Sequence, residues 1–108
     1  YQVTQKNGER WSAARAYVEP NRARDNLTVL TNVTVERVLF DGNKASGIAC
    51  REGGTLRQLR ARHAVVLAGG AFGTPQLLML SGIGPADHLR AHGIDVLVDR
   101  PAVGSDLQ

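Results

Sequence analysis

One cysteine, two tyrosines, two phenylalanines and one tryptophan are all that 108 residues hold of these types. A lone Cys50 excludes an internal disulfide framework, and its place in a β-branched stretch reads as a small hydrophobe on a strand. Few aromatics lie near the scattered basic residues. The excess of basic over acidic side chains (+3, pI about 9.6) therefore suits a polyanion such as a dinucleotide pyrophosphate better than a nucleic acid. Long apolar runs are missing as well. The longest, at 64–68, is strand-sized and far below the ~18 residues of a membrane span. No basic-then-apolar leader opens the chain. An apolar fraction of 43% and a charged fraction of 21% are ordinary for a soluble globular protein.

The residues that are present predict a mixed α/β (α+β) fold. Residues 1–4 read as a strand already under way, and residues 101–108 stop in a glycine-containing loop, so both ends look cut. Gly8 supplies a turn, Ser12 caps a helix over the following alanines, and Pro20 ends it. From Leu27 the apolar period becomes two, through Val29, Val33, Val35 and Val38. Asp41-Gly42 and Gly53-Gly54 then punctuate a small antiparallel meander of three or four strands. Residues 64–68 (AVVLA) have the pattern of a parallel-type strand buried on both faces. Thr74 and Pro75 predict the cap and first position of a helix ending at Ser81-Gly82. Pro85 starts a second short helix, and residues 95–99 (DVLVD) form a last strand. Strand, glycine turn, helix, helix, strand implies a parallel sheet.

The strongest chemical signal is the strand–Gly-Gly–helix element around Gly69 and Gly70. A helix N-terminus offers free N–H groups to an anion, and absent side chains let a cofactor approach the backbone. The dinucleotide spacing GxGxxG is not met, because Ala68 stands at its first glycine. A tight turn with close helix–strand packing fits the same residues. Asp99 ends the next strand, where a dinucleotide fold places its ribose-binding acid, which keeps open a noncatalytic nucleotide-binding or structural module. His88 and His92 share a helix face, but two ligands without a third make no metal site. Ser81 lacks a GxSxG elbow, and no catalytic group is identified anywhere in the chain.

Residues 70–85 (GAFGTPQLLMLSGIGP) closely resemble the second signature of the glucose–methanol–choline (GMC) oxidoreductases, in the style of choline dehydrogenase-like bacterial members. Residues 7–14 (NGERWSAA) are similar to the family's helix start, and residues 26–31 (NLTVLT) to one of its strands. Gly93-Ile94 and the DVLVD strand are similar to the segment before the family's PGVGxNLQDH loop. Asp106 stands where the family has Asn and Ala102 where it has Gly.

The resemblance implies an internal segment, residues 1–108, of a single FAD-binding domain truncated at both ends. It implies FAD-dependent oxidation of an alcohol to an aldehyde or ketone, by hydride transfer to the flavin, and a cytoplasmic location. Within the chain it implies that the backbone at Val35 meets the adenine ring and that Ala68, Gly69 and Gly70 form the strand-end turn beside the cofactor. The pyrophosphate-binding GxGxxG and the catalytic histidine belong to other parts of the family's chain, so this segment is expected to be inactive by itself. Exposed sheet edges of such a segment would favour homo-oligomers.

Overall fold

A computed structural model describes residues 4–106, so most of the expected opening strand and the last two residues lie outside the described residues. The chain divides into two units, Tyr1–Thr31 and Asn32–Gln108.

In the first unit, β1 (Gln5–Lys6) and β2 (Glu9–Arg10) pair antiparallel across a two-residue turn. Asn7 and Gly8 both adopt positive φ (54° and 78°), which gives the turn the twist of the strands it joins. Lys6 Nζ lies 4.8 Å from the Trp11 ring centroid and the Arg15 guanidinium 5.3 Å from it. Arg15 is also held by Glu9 at 2.9 Å. Ser12 acts as the sequence predicts: its hydroxyl accepts the Arg15 N–H and its carbonyl the Ala16 N–H. The helix that follows is a wide π-type turn, Ala14–Val18, tightening into a 3₁₀ turn, Glu19–Asn21, that contains Pro20. Residues 27–31 form no strand. Among the described residues they have no backbone ladder, and Asn32 at φ 58° separates them from the extended chain beyond.

The second unit is built on a three-stranded antiparallel meander, β3 (Val33–Asp41), β4 (Lys44–Glu52) and β5 (Thr55–Arg60), in that spatial order. Both hairpins close where expected. Asp41 pairs with Lys44 and Glu52 with Thr55, and positive-φ glycines at Gly42, Gly53 and Gly54 sit in the two-residue turns. β4 is central and carries the tightest packing: Ala49 and Cys50 are buried, opposite Arg37 and Val35 of β3. Cys50 is thus the strand hydrophobe its context predicts. Gly47 has no alternative, since a Cβ there would stand 2.2 Å from the Leu59 carbonyl oxygen. Cross-strand ion pairs, Arg51 with Glu36 at 2.7 Å and Arg57 with Glu52, line the exposed side chains. At these exposures each stabilises by well under about 1 kcal/mol.

After the meander, α1 (Gly70–Leu80), β6 (Ile83–Gly84), α2 (Ala86–Ala91) and β7 (Val98–Asp99) follow. β6 and β7 pair in parallel, Ile83 with Val98 and Gly84 with Asp99. The parallel pairing implied by the sequence therefore exists, but its first strand is the Ile-Gly after α1. Residues 64–68 form no strand and are not buried; Val66 is 85% exposed. A strand buried on both faces needs a hydrogen-bonded neighbour on each side and a packed layer on each face, and no described residue supplies them. α2 is anchored by Leu89, fully buried among otherwise exposed or half-buried neighbours.

Candidate functional site

The expected cap at Thr74 is displaced. α1 begins at Gly70, with Pro75 inside it. Gly70 takes φ 80°, a conformation that side-chain-bearing residues rarely adopt, and this turns the chain into the helix five residues early. Thr74 still serves the helix start, because its hydroxyl accepts the Gly69 N–H at 3.0 Å. Pro75, the sixth of the eleven residues of α1, withholds an N–H from the Ala71 carbonyl, so the helix lacks one hydrogen bond at mid-length.

Three of the four candidate cofactor residues thus stand together at one point of the fold. Ala68, Gly69 and Gly70 are consecutive, exposed and lead directly into the first turn of α1, whose leading N–H groups have no intrahelical acceptor. A Cβ at Gly70 would meet nothing within 4 Å, so its backbone faces open space. A Cβ at Gly69 would press to 3.2 Å on the Gly73 and Thr74 backbone, so that glycine serves the helix itself. The fourth residue, Val35, lies on β3 opposite Cys50, at the surface and next to a register shift between Val35 and Arg37. Such a bulge turns a strand's backbone groups out of the ladder. An exposed strand valine with an irregular backbone, and a bare glycine turn at a helix N-terminus, fit a flat base and an anionic linker approached through the main chain.

α1 packs against β3, and one side-chain hydrogen bond among the described residues joins them. The Ser81 hydroxyl accepts the buried Val38 N–H at 2.8 Å and donates to the Leu77 carbonyl at 2.6 Å. Along α1 lies an open, mainly apolar cavity of about 450 Å3, lined by Ala71, Phe72, Pro75, Met79 and Val103.

The remaining candidates take structural places. Asp99 Oδ1 accepts the Ala86 N–H at 3.0 Å and so caps α2, where its charge also meets the positive end of the helix. That role was legible only with the β6–β7 pairing in hand, which brings residue 99 to the start of the preceding helix. His88 and His92 stack edge to face, with ring centroids 4.6 Å apart. Among the described residues no three His, Cys, Asp or Glu side chains gather into a metal-binding group. No helix there is long and apolar enough to cross a membrane.

The family model described as GMC oxidoreductase matches residues 1–108. An uncharacterised GMC-type oxidoreductase of Mycobacterium bovis is 50% identical over 105 residues, 97% of this chain and 20% of that protein. An oxygen-dependent choline dehydrogenase of Brucella ovis is 45% identical over 102 residues, 94% of this chain and 18% of its own. Among solved structures, an FAD-dependent oxidoreductase from Chaetomium thermophilum superposes with a TM-score of 0.82 at 35% identity, over 86% of this chain and 16% of that one. The chain spans about a fifth of the length of the curated relatives it matches. With the glycine turn, the meander and the whole-length match in agreement, the chain belongs to the GMC oxidoreductase family.

Proposed function

We propose that residues 1–108 are an internal segment of the FAD-binding domain of an alcohol oxidoreductase, choline dehydrogenase-like in its chemistry. The family match over the entire chain carries this reading. The choline-dehydrogenase relative at 45% identity supports the alcohol as substrate class, and the FAD-dependent fold neighbour supports the cofactor.

Bound FAD would supply the acceptor for the hydride of the alcohol carbon. This chain's contribution is to hold the cofactor. The first N–H groups of α1 present donors and a positive dipole end to an anionic linker, and Gly70 leaves the space through which it comes close. Val35 offers an apolar surface and an irregular backbone to the adenine. In this reading, which follows the family resemblance, the proton of the alcohol is taken by a histidine outside the segment. A cytoplasmic location belongs to the same proposal and is checked by fractionation of the source cells.

The test uses the full-length protein. Purified, it should carry flavin absorbance that bleaches under anaerobic conditions when choline or another primary alcohol is added. Retained flavin that no alcohol reduces would remove the substrate class and leave the cofactor. The 108-residue chain alone should bind FAD more weakly than about 1 µM, since it holds only part of the contacts. Submicromolar binding in a fluorescence titration would contradict that division of labour.

A further inference from the structure

We infer that Ser81 is a positioning residue for the cofactor site: its hydroxyl locks α1, whose N-terminus carries Gly69 and Gly70, to β3, which carries Val35. The inference rests on the assignment of those residues to FAD. β3 is an edge strand of the meander, so the Val38 N–H that points away from β4 has no ladder partner, yet Val38 is buried. A buried N–H left unsatisfied is costly, and the acceptor comes from 43 residues further along the chain. The same oxygen donates its proton one turn back, to Leu77. A hydroxyl at this position does both; alanine does neither, and a thiol accepts poorly.

The lever arm makes this local bond matter at a distance. Eleven residues of helix span roughly 16 Å, so a tilt of about 5° at the Ser81 end moves the first-turn N–H groups by roughly 1.4 Å. That exceeds the whole range of hydrogen-bond lengths, about 2.7–3.2 Å. The end of α1 is otherwise tied to the β6–β7 side: a Cβ at Gly82 would sit 2.6 Å from the Asp95 carbonyl oxygen, and one at Gly84 would sit 2.8 Å from Met79 Cγ. Without the Ser81 hydroxyl, α1 keeps its attachment to β6 and β7, and only packing against β3 is left to fix its tilt.

The full-length protein is made as wild type, Ser81→Ala, Ser81→Cys, Ser81→Thr and Ser46→Ala. Ser46 is a buried hydroxyl of β4 that accepts from Arg60 and has no hydrogen bond to α1, so its loss is a control for destabilising the meander alone. Each is stripped of flavin, and FAD affinity, visible circular dichroism of the rebound flavin and melting temperature are read together. Ser81→Ala and Ser81→Cys should raise the FAD Kd about tenfold and change the dichroism, with Ser81→Thr within about threefold of wild type. Ser46→Ala should lower the melting temperature and leave affinity and dichroism alone. Wild-type affinity in Ser81→Ala overturns the inference, as does a loss in Ser46→Ala equal to that in Ser81→Ala. Wild-type protein that neither retains nor rebinds FAD defeats the cofactor assignment itself, a result separable from the first two.

Discussion

The β3–β5 meander and the nine residues that follow it are adjacent in sequence and opposite in outcome. In the meander, Val38, Ala49 and Cys50 are all at most 6% exposed, although the three strands are interrupted by charged residues. Residues 61–69 hold the longest apolar run in the chain, and their Val66 is 85% exposed. Apolar content alone therefore does not decide burial. What separates the two is the range of the interactions each needs. The meander closes through two-residue turns whose glycines reach positive φ without strain, so each strand finds its neighbour locally. The run at 64–68 is patterned for two hydrogen-bonded neighbours and two covered faces, and among the described residues no strand pairs with it.

If local closure is what makes the meander self-sufficient, the largest effect should come from breaking it at its tightest point. Gly47→Val drives a branched side chain into the β5 backbone, where even a Cβ would stand 2.2 Å from Leu59 oxygen. The expected loss is about 3 kcal/mol or more, read by chemical denaturation, with the β4–β5 amides losing hydrogen-exchange protection first. A loss below about 1 kcal/mol would mean that the pairing of β4 with β5 contributes little.

Leu89→Ala sharpens the contrast from the other side. α2 is only six residues long and has one buried side chain, so its attachment depends on that contact rather than on helix propensity. Truncation should cost about 2–4 kcal/mol by the same measurement. It should leave meander exchange rates near those of the parent if the two parts are independently closed.

Thr74→Val removes the hydroxyl that accepts the Gly69 N–H while keeping its shape. The exposed donor can turn to water, so stability should fall by about 1 kcal/mol or less. The measurable consequence is faster amide exchange confined to the glycine turn. Protection unchanged at residues 69–71 would show that helix packing, rather than Thr74, fixes the turn.

The same distinction of range explains which parts of the structure could be read from the sequence. The turns at Asp41-Gly42 and Gly53-Gly54 and the Ser12 cap are decided within four residues, and they appear where expected. The contiguous signature at 70–85 identified the family for the same reason. Features set by distant partners were not legible. Thr74-Pro75 has the composition of a helix start, and only the positive φ at Gly70 moves that start forward. Residues 27–31 alternate like a strand but have no ladder. The Ser81–Val38 and Asp99–Ala86 bonds join residues 43 and 13 apart, and nothing in either local sequence announces them. Ala68, Gly69 and Gly70 could be placed on one turn from their adjacency, whereas their relation to Val35 depends on how α1 meets β3.

The smallest expected effect is the most informative about residues 64–68. Val66→Thr keeps the β-branched shape and replaces one methyl with a hydroxyl, which costs little in water and about 1–3 kcal/mol when buried without a partner. In the 108-residue chain the side chain is already 85% exposed, so stability should change by less than about 0.5 kcal/mol. In the full-length protein, a strand that gains neighbours on both sides would bury Val66, and the same substitution should then cost about 1–3 kcal/mol. The difference between the two backgrounds measures the burial that the rest of the polypeptide supplies to this run. Equal, near-zero effects in both would mean that the run stays at the surface, and that its apolar pattern serves something other than a sheet.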